Sequence, residues 1–196
     1  MALLWPPSPL PLNVESLASV IRQGAYPEFI CFPDWGGSAS PDCLAPWTPT
    51  PFVLNGRRFA SAEHYFMYAK ARLFGDISTA RRILRARCSG QACELGNRVR
   101  GFHGPLWAAR REHLRDEANR AKFGSLPHLA AYMLSTWPAV LVQTGALDPI
   151  WCSGLDLDDP YLRRPWQWPG QNLVGFSLMR VREELRANSA RGGYAG

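Results

Sequence analysis

Between Ser61 and Gly124 the chain alternates helix start signals with helix stop signals, and this rhythm limits its fold more than any other feature. Ser61 suits the cap of a helix that runs to about Gly75, with Glu63 in the first turn, where the helix dipole favours a carboxylate. Asp76 suits the cap of a second helix, DISTARRILRAR, and Gln91 to Arg100 form a third. Pro105 fits the first position of a long helix that reaches about Phe123 and is ended by Gly124. The pattern predicts a mainly α, compact multi-helix domain.

The flanks add a few short strands. Just upstream, FVLNGRRF sets Asn55-Gly56 between two strand-like runs, which predicts a hairpin. YPEFICF and AVLVQT read as single strands, and NVESLASVIRQG as a short helix capped by Asn13 and stopped by Gly24. LPHLAAYMLST and LVGFSLMRVREELRA read as further helices. The expected organisation is a Pro-rich extension with a short helix over 1–26, one domain over 27–187, and a flexible tail over 188–196.

Five cysteines, odd in number and without CxxC spacing, predict a reduced cytoplasmic protein with no structural metal site. The amino terminus lacks a basic run before its proline-broken apolar stretch, so no secretory signal is expected, and no apolar run is long enough to span a membrane. The net charge of +6 favours anionic partners such as phosphates, nucleotides or nucleic acid. Of the 22 basic residues only Lys70 and Lys122 are lysine. That scarcity draws attention to them, because an amine can lose its proton and act as a nucleophile whereas a guanidinium cannot.

On the helix beginning at Ser61, helical periodicity places Ala62, Tyr65, Phe66, Ala69 and Leu73 on one apolar stripe. Glu63 and Lys70 project within about 20° of one another beside that stripe, with Met67 between them. Such a pair is either a boundary acid with a snorkelling lysine or the wall of a pocket that tunes an acid and an amine. His64 points about 100° away and reads as a capping or core residue. Two irregular segments carry further candidates: residues 33–51 with Trp35 and Trp47, and TGALDPIWCSG with Asp148 and Trp151. A carboxylate beside an indole suits a site that stacks a planar base or a sugar face, although core packing explains Trp151 equally well.

Taken together, FVLNGRRFASAEHYFMYAKA, ILRARCSGQACELGNRV, GPLWAARREHL, ANRAKF, LVQTGALDPIW and GQNLVGFSLMRVREEL resemble the NADAR (YbiA-like) family from about Phe29 to Arg186. The resemblance implies a YbiA-like, mainly helical fold and a pocket that hydrolyses N-glycosidic bonds of ribosylamine type. Family members act on early riboflavin-pathway intermediates carrying ribose 5-phosphate, or remove ADP-ribose from guanine bases. The implied partners are thus a phosphorylated ribosylamine or an ADP-ribosylated nucleic acid, with no metal and no redox cofactor.

Position by position, Glu63 matches the family's catalytic glutamate in EHYF. Trp107, Asp148 and Trp151 match further pocket residues, and Lys70 and Lys122 match the family's two motif lysines. The chain departs from the family at Gln143, where glutamate is common, at Trp151-Cys152-Ser153-Gly154, where WGxG is common, and at Gly124-Ser125 after AKF. The expected catalytic residues are Glu63, Lys70 and Asp148, and the expected substrate-binding residues are Trp35, Trp107, Lys122, Gln143 and Trp151.

Two routes suit these residues. In one, a carboxylate stabilises an oxocarbenium-like state and activates water. In the other, the sugar ring opens and an unprotonated lysine attacks C1 to give a Schiff base that water resolves. The lysine route is preferred, with Lys70 the first candidate and Lys122 the second. Arg81, Arg82, Arg85 and Arg110 read either as phosphate contacts or as a solvated face. The rival to an enzyme is a module that holds ADP-ribose or a nucleotide without cleaving it, because Gln143 lacks the charge of a glutamate. Glu63→Gln is expected to abolish turnover with little loss of stability.

Overall fold

The structure is a computed structural model and describes residues 4–33 and 40–192. Among these residues the helices are α1 (Val14–Arg22), α2 (Ala62–Leu73), α3 (Ile77–Ile83), α4 (Ser89–Asn97), α5 (Gly104–Ser125), α6 (Pro127–Ser135) and α7 (Leu173–Gly192). The strands are β1 (Phe29–Pro33), β2 (Phe52–Leu54), β3 (Arg57–Phe59) and β4 (Val140–Thr144), and single 3-10 turns cover Ser40–Leu44 and Pro165–Gln167. The mainly helical expectation holds. The chain divides into two compact units, one formed by residues 46–130 and the other by 1–45 with 131–196.

In the unit 46–130, α3, α4 and α5 all pack against α2. The expected single apolar stripe on α2 is therefore too narrow: every residue from Ala62 to Ala71 except Tyr68 is buried, including Glu63, His64 and Lys70. Each cap does its predicted work. The Ser61 side chain accepts from the His64 N–H, and that of Asp76 accepts from the Thr79 N–H. His64 is a capping residue, its Nδ1 sharing a 2.8 Å hydrogen bond with Ser61 Oγ.

The β2–β3 hairpin turns at Asn55 and Gly56, both in the left-handed region at φ 50° and 70°. That is the conformation for which Asn-Gly is selected. Phe52 pairs with Phe59 across the hairpin, and both rings enter a cluster with Ala62, Tyr65, Ala69 and Ala118. On α4, Gly96 lies so close to the Met67 side chain that a methyl group there would overlap it. This absence of a side chain lets α4 close on the face of α2 that carries the candidate acid and amine.

In the other unit, β1 and β4 form a parallel pair in the register Phe29↔Val140 to Pro33↔Thr144, and α7 packs on β4. Every residue of β4 is buried, the polar Gln143 and Thr144 included. Beside β4, the fully buried Asn172 side chain stands in for a neighbouring strand. Its Nδ2 donates to the Leu141 carbonyl and its Oδ1 accepts from the Gln143 N–H. Arg182 of α7, also fully buried, donates through Nη1 to the carbonyls of Thr136 and Ala139 and to Thr136 Oγ1. Burial pushes the pKa of its guanidinium down to about 10.

Several boundaries differ from expectation, among them the end of α5, which runs through Gly124 to Ser125. α3 stops at Ile83 rather than near Arg87. His64 Nε2 engages the carbonyl of Ala86 at 3.3 Å, which places the chain beyond α3 by a tertiary contact. α4 begins at Ser89, whose hydroxyl donates to the Trp47 carbonyl. α7 continues through Gly192, beyond the expected end at Ala187, with Ser189 Oγ bonded back to the Leu185 carbonyl. Residues 193–196 of the expected tail, and Trp35 in the loop, lie outside the described residues.

Candidate active site

Glu63 stands in the first turn of α2, and its carboxylate is 3% exposed. Both terminal nitrogens of Arg115, on α5, donate to its Oε2 at 3.1 Å. The guanidinium carbon of Arg115 also lies 3.7 Å from the centre of the Phe66 ring. Charge and stacking together hold this guanidinium where it would otherwise be costly to bury. Arg115 thus anchors the carboxylate through Oε2.

Two turns along α2, the Lys70 amine lies 5.2 Å from the ring centres of both Phe102 and Trp107. Burial pushes its pKa down, while the negative charges of Cys93 and Glu63 pull it part of the way back. Phe66 continues the contact chain, with its ring centre 5.2 Å from that of Trp107. Arg115, Phe66, Trp107 and Lys70 thus follow one another by ring contacts, and Glu63 is fastened to the first of them. Phe102 is exposed and Trp107 half-buried, so the amine sits beneath rings that reach solvent.

Lys122 lies on the buried face of α5 with Arg115, Ala118 and Asn119, and it has no exposed surface. Its amine is 5.3 Å from the ring centre of Phe123. Arg81, Arg82, Arg85 and Arg110 are all exposed, in keeping with a solvated face.

The remaining expected residues belong to the other unit. Asp148 is half-buried, and its Oδ1 accepts the N–H groups of Ile150 and Trp151, each at 3.0 Å. The carboxylate therefore fixes the turn from which Trp151 projects. Gln143, on β4, is 1% exposed, and its carbonyl accepts from the Ser153 N–H. The fold thus gathers Glu63, Lys70 and Trp107 in one unit and joins Asp148 to Trp151 in the other.

Arg115 and Phe102 are absent from the expected site. Arg115 had a readable signal: with Ala118, Asn119 and Lys122 it falls at helical spacing on one face of a helix that carries many arginines on other faces. Phe102 lies in the short connection before α5 and had none.

Fold and site together define a mainly helical domain of enzyme type, with an acid and an amine walled by aromatic rings. The chain belongs to the NADAR family: the NADAR domain model matches residues 35–186. It is 37% identical over 143 residues to N-glycosidase R617 of Acanthamoeba polyphaga mimivirus, covering 70% of this chain and 84% of that protein. To N-glycosidase YbiA of Escherichia coli (strain K12) it is 27% identical over 179 residues, covering 90% of this chain and 98% of that protein. A riboflavin biosynthesis protein of Vibrio vulnificus, VVA0006, is 28% identical over 146 residues, covering 74% of this chain and 36% of its own. The NMR structure of the E. coli YbiA protein superposes with a TM-score of 0.68 at 26% identity, over 83% of this chain and 88% of that one. Family and fold agree with the resemblance read from the sequence. No helix among the described residues is long and apolar enough to cross a membrane.

Proposed function

We propose that this chain is an N-glycosidase that hydrolyses the C1–N bond of a ribosylamine-type substrate, with Lys70 as nucleophile and Glu63 as proton acceptor. The reading rests above all on one observation: a buried amine beside two aromatic rings lies on the same face of α2 as a carboxylate that Arg115 anchors through Oε2. Burial lowers the pKa of that amine. Family membership and the N-glycosidase names of the relatives support the reaction class.

The ring-opened substrate presents C1 as an iminium carbon. The unprotonated Lys70 nitrogen adds to it, a proton passes to the leaving nitrogen, and the base departs as a neutral amine. A Schiff base now joins Lys70 to C1. Water adds there, giving up a proton to the Glu63 carboxylate, and collapse of the adduct frees the sugar aldehyde and the lysine. Trp107 offers the face on which base or ribose stacks. Lys122 is enclosed and acts by shaping the interior of the unit that carries Glu63 and Lys70. Of the two lysines, Lys70 is preferred as nucleophile because its amine lies against rings that reach solvent, whereas Lys122 is fully enclosed.

The test is incubation with DNA carrying ADP-ribosylated guanine and, separately, with the riboflavin-pathway ribosylamine 5-phosphate. Base release is followed by mass spectrometry, with borohydride added to trap an imine. The expected result is release from one of the two and a reduced adduct on the peptide containing Lys70. Release without an adduct, and with Lys70→Met fully active, would replace the lysine route by the carboxylate route. No release from either substrate, alongside measurable ADP-ribose binding, would reduce the protein to a binding module.

A further inference from the structure

A cavity lies behind α2. Tyr65, Tyr68 and Arg72 project roughly 140–200° around the helix from Glu63, so they face away from the acid and the amine. They line a cavity of ≈ 480 Å³ together with residues of the hairpin. This volume falls within the usual range for small-molecule pockets.

The lining has a definite chemistry. Phe59, Tyr65 and Tyr68 supply aromatic faces, and the Phe59 and Tyr65 rings meet edge to face at 5.1 Å. The Tyr65 hydroxyl is already committed to Glu117, donating to it at 2.6 Å. Two guanidinium groups reach the same cavity from different elements. On β3, side chains alternate between faces, so Arg57 shares a face with the buried Phe59 while Arg58 takes the other. An arginine is thereby placed on the core face of the hairpin at its turn end. Arg72 lies one helical turn beyond Tyr68, on the same side of α2. Both arginines are exposed, and among the described residues neither pairs with a carboxylate.

Aromatic walls with two unneutralised guanidinium groups at the rim fit a planar ring that carries a compact anion. Guanidinium groups bind phosphate through paired hydrogen bonds, and a nucleobase stacks on a tyrosine face. We infer that this cavity is a binding site for a free mononucleotide, its base against Tyr68 and its phosphate between Arg57 and Arg72. The site is separate from the reaction centre and does not depend on the reaction assigned to it. A bound nucleotide would pack against the rear of the helix that bears Glu63 and Lys70.

Isothermal titration of the full chain with adenosine 5′-monophosphate tests this, with adenosine, inorganic phosphate and a short single-stranded oligonucleotide as comparison ligands. The mononucleotide is expected to bind, with adenosine and phosphate each at least tenfold weaker. The double variant Arg57→Gln/Arg72→Gln and the single variant Tyr68→Ala should each weaken binding at least tenfold, and Lys70→Met should leave it unchanged. Thermal unfolding of the double variant at the wild-type temperature would show that lost binding is not lost folding. No binding of the mononucleotide at millimolar concentration would overturn the inference. So would a loss of binding in Lys70→Met but not in the arginine pair, which would place the nucleotide at the reaction centre. Tighter binding of the oligonucleotide with steep salt dependence would overturn it in favour of a nucleic-acid strand.

Discussion

Arg115 of α5 and Glu63 of α2 hold one another in the interior of their unit, two guanidinium nitrogens on one carboxylate oxygen at 3.1 Å, with each side chain 3% exposed. The pair fastens two helices and orients the catalytic candidate at once. Removing Arg115 leaves the buried Glu63 carboxylate without the guanidinium that is hydrogen-bonded to it.

Arg115→Met should therefore destabilise the protein by about 3–5 kcal/mol. The double variant Glu63→Gln/Arg115→Met should recover much of that loss. Urea denaturation of the two single variants and the double one measures the coupling. Additive losses would mean that the ion pair contributes nothing of its own.

The sequence predicts little cost in stability for Glu63→Gln, and the pairing changes that expectation. The amide oxygen still accepts from Arg115, but a buried cation now faces a neutral group, at a cost of about 1–3 kcal/mol. Turnover should fall by roughly 10²–10⁴, the usual contribution of a positioned acid or base. Initial rates and Tm, measured on the same preparation, separate the two effects.

Lys70 carries a pH signature. Its folded pKa is lowered, so the unfolded chain binds more protons between that value and the ordinary lysine value of about 10.4. Stability contributed by this group therefore rises with pH across that window, and below it the burial penalty is present in full. Lys70→Met should abolish borohydride trapping and turnover while leaving Tm unchanged or raised near neutral pH. The wild-type rate should climb with pH through the lowered amine pKa. A flat rate profile would argue against an amine nucleophile.

Asp76 governs the acid side. Its carboxylate caps α3 and accepts from the Arg100 side chain and backbone, which hold its pKa well below the ordinary carboxylate range. The stability it contributes is complete above the unfolded carboxylate value of about 3.9 and is lost as pH falls below it. Asp76→Asn retains a capping oxygen but loses the titration, so its stability should depend less on pH below about 4 than that of the wild type. Acid unfolding followed by circular dichroism reads the difference.

Gly96→Ala would push a methyl group into Met67, between the positions of Glu63 and Lys70 on α2. Forcing α4 away from α2 should cost about 1–3 kcal/mol, and turnover should fall with it. A Gly96→Ala protein of wild-type Tm and rate would show that Met67 finds room elsewhere.

The local chemistry of the chain was enough to determine where most elements begin. Asn13, Ser61, Asp76, Pro105 and Asn55-Gly56 act through hydrogen bonds and backbone preferences that span only three or four residues, and each performs its predicted role. Helical spacing placed Glu63 and Lys70 on one face, and the family resemblance marked these two and Trp107 as site residues. Tertiary structure decided what surrounds them. The end of α3, the burial of α2 on nearly every side, and the pairing of Glu63 with Arg115, 52 positions away, arise from contacts between elements. A 3.6-residue period shows which residues share a face of a helix. It carries no information on which other helix covers that face, and that covering is what turned a carboxylate and an amine into a buried, ordered pair.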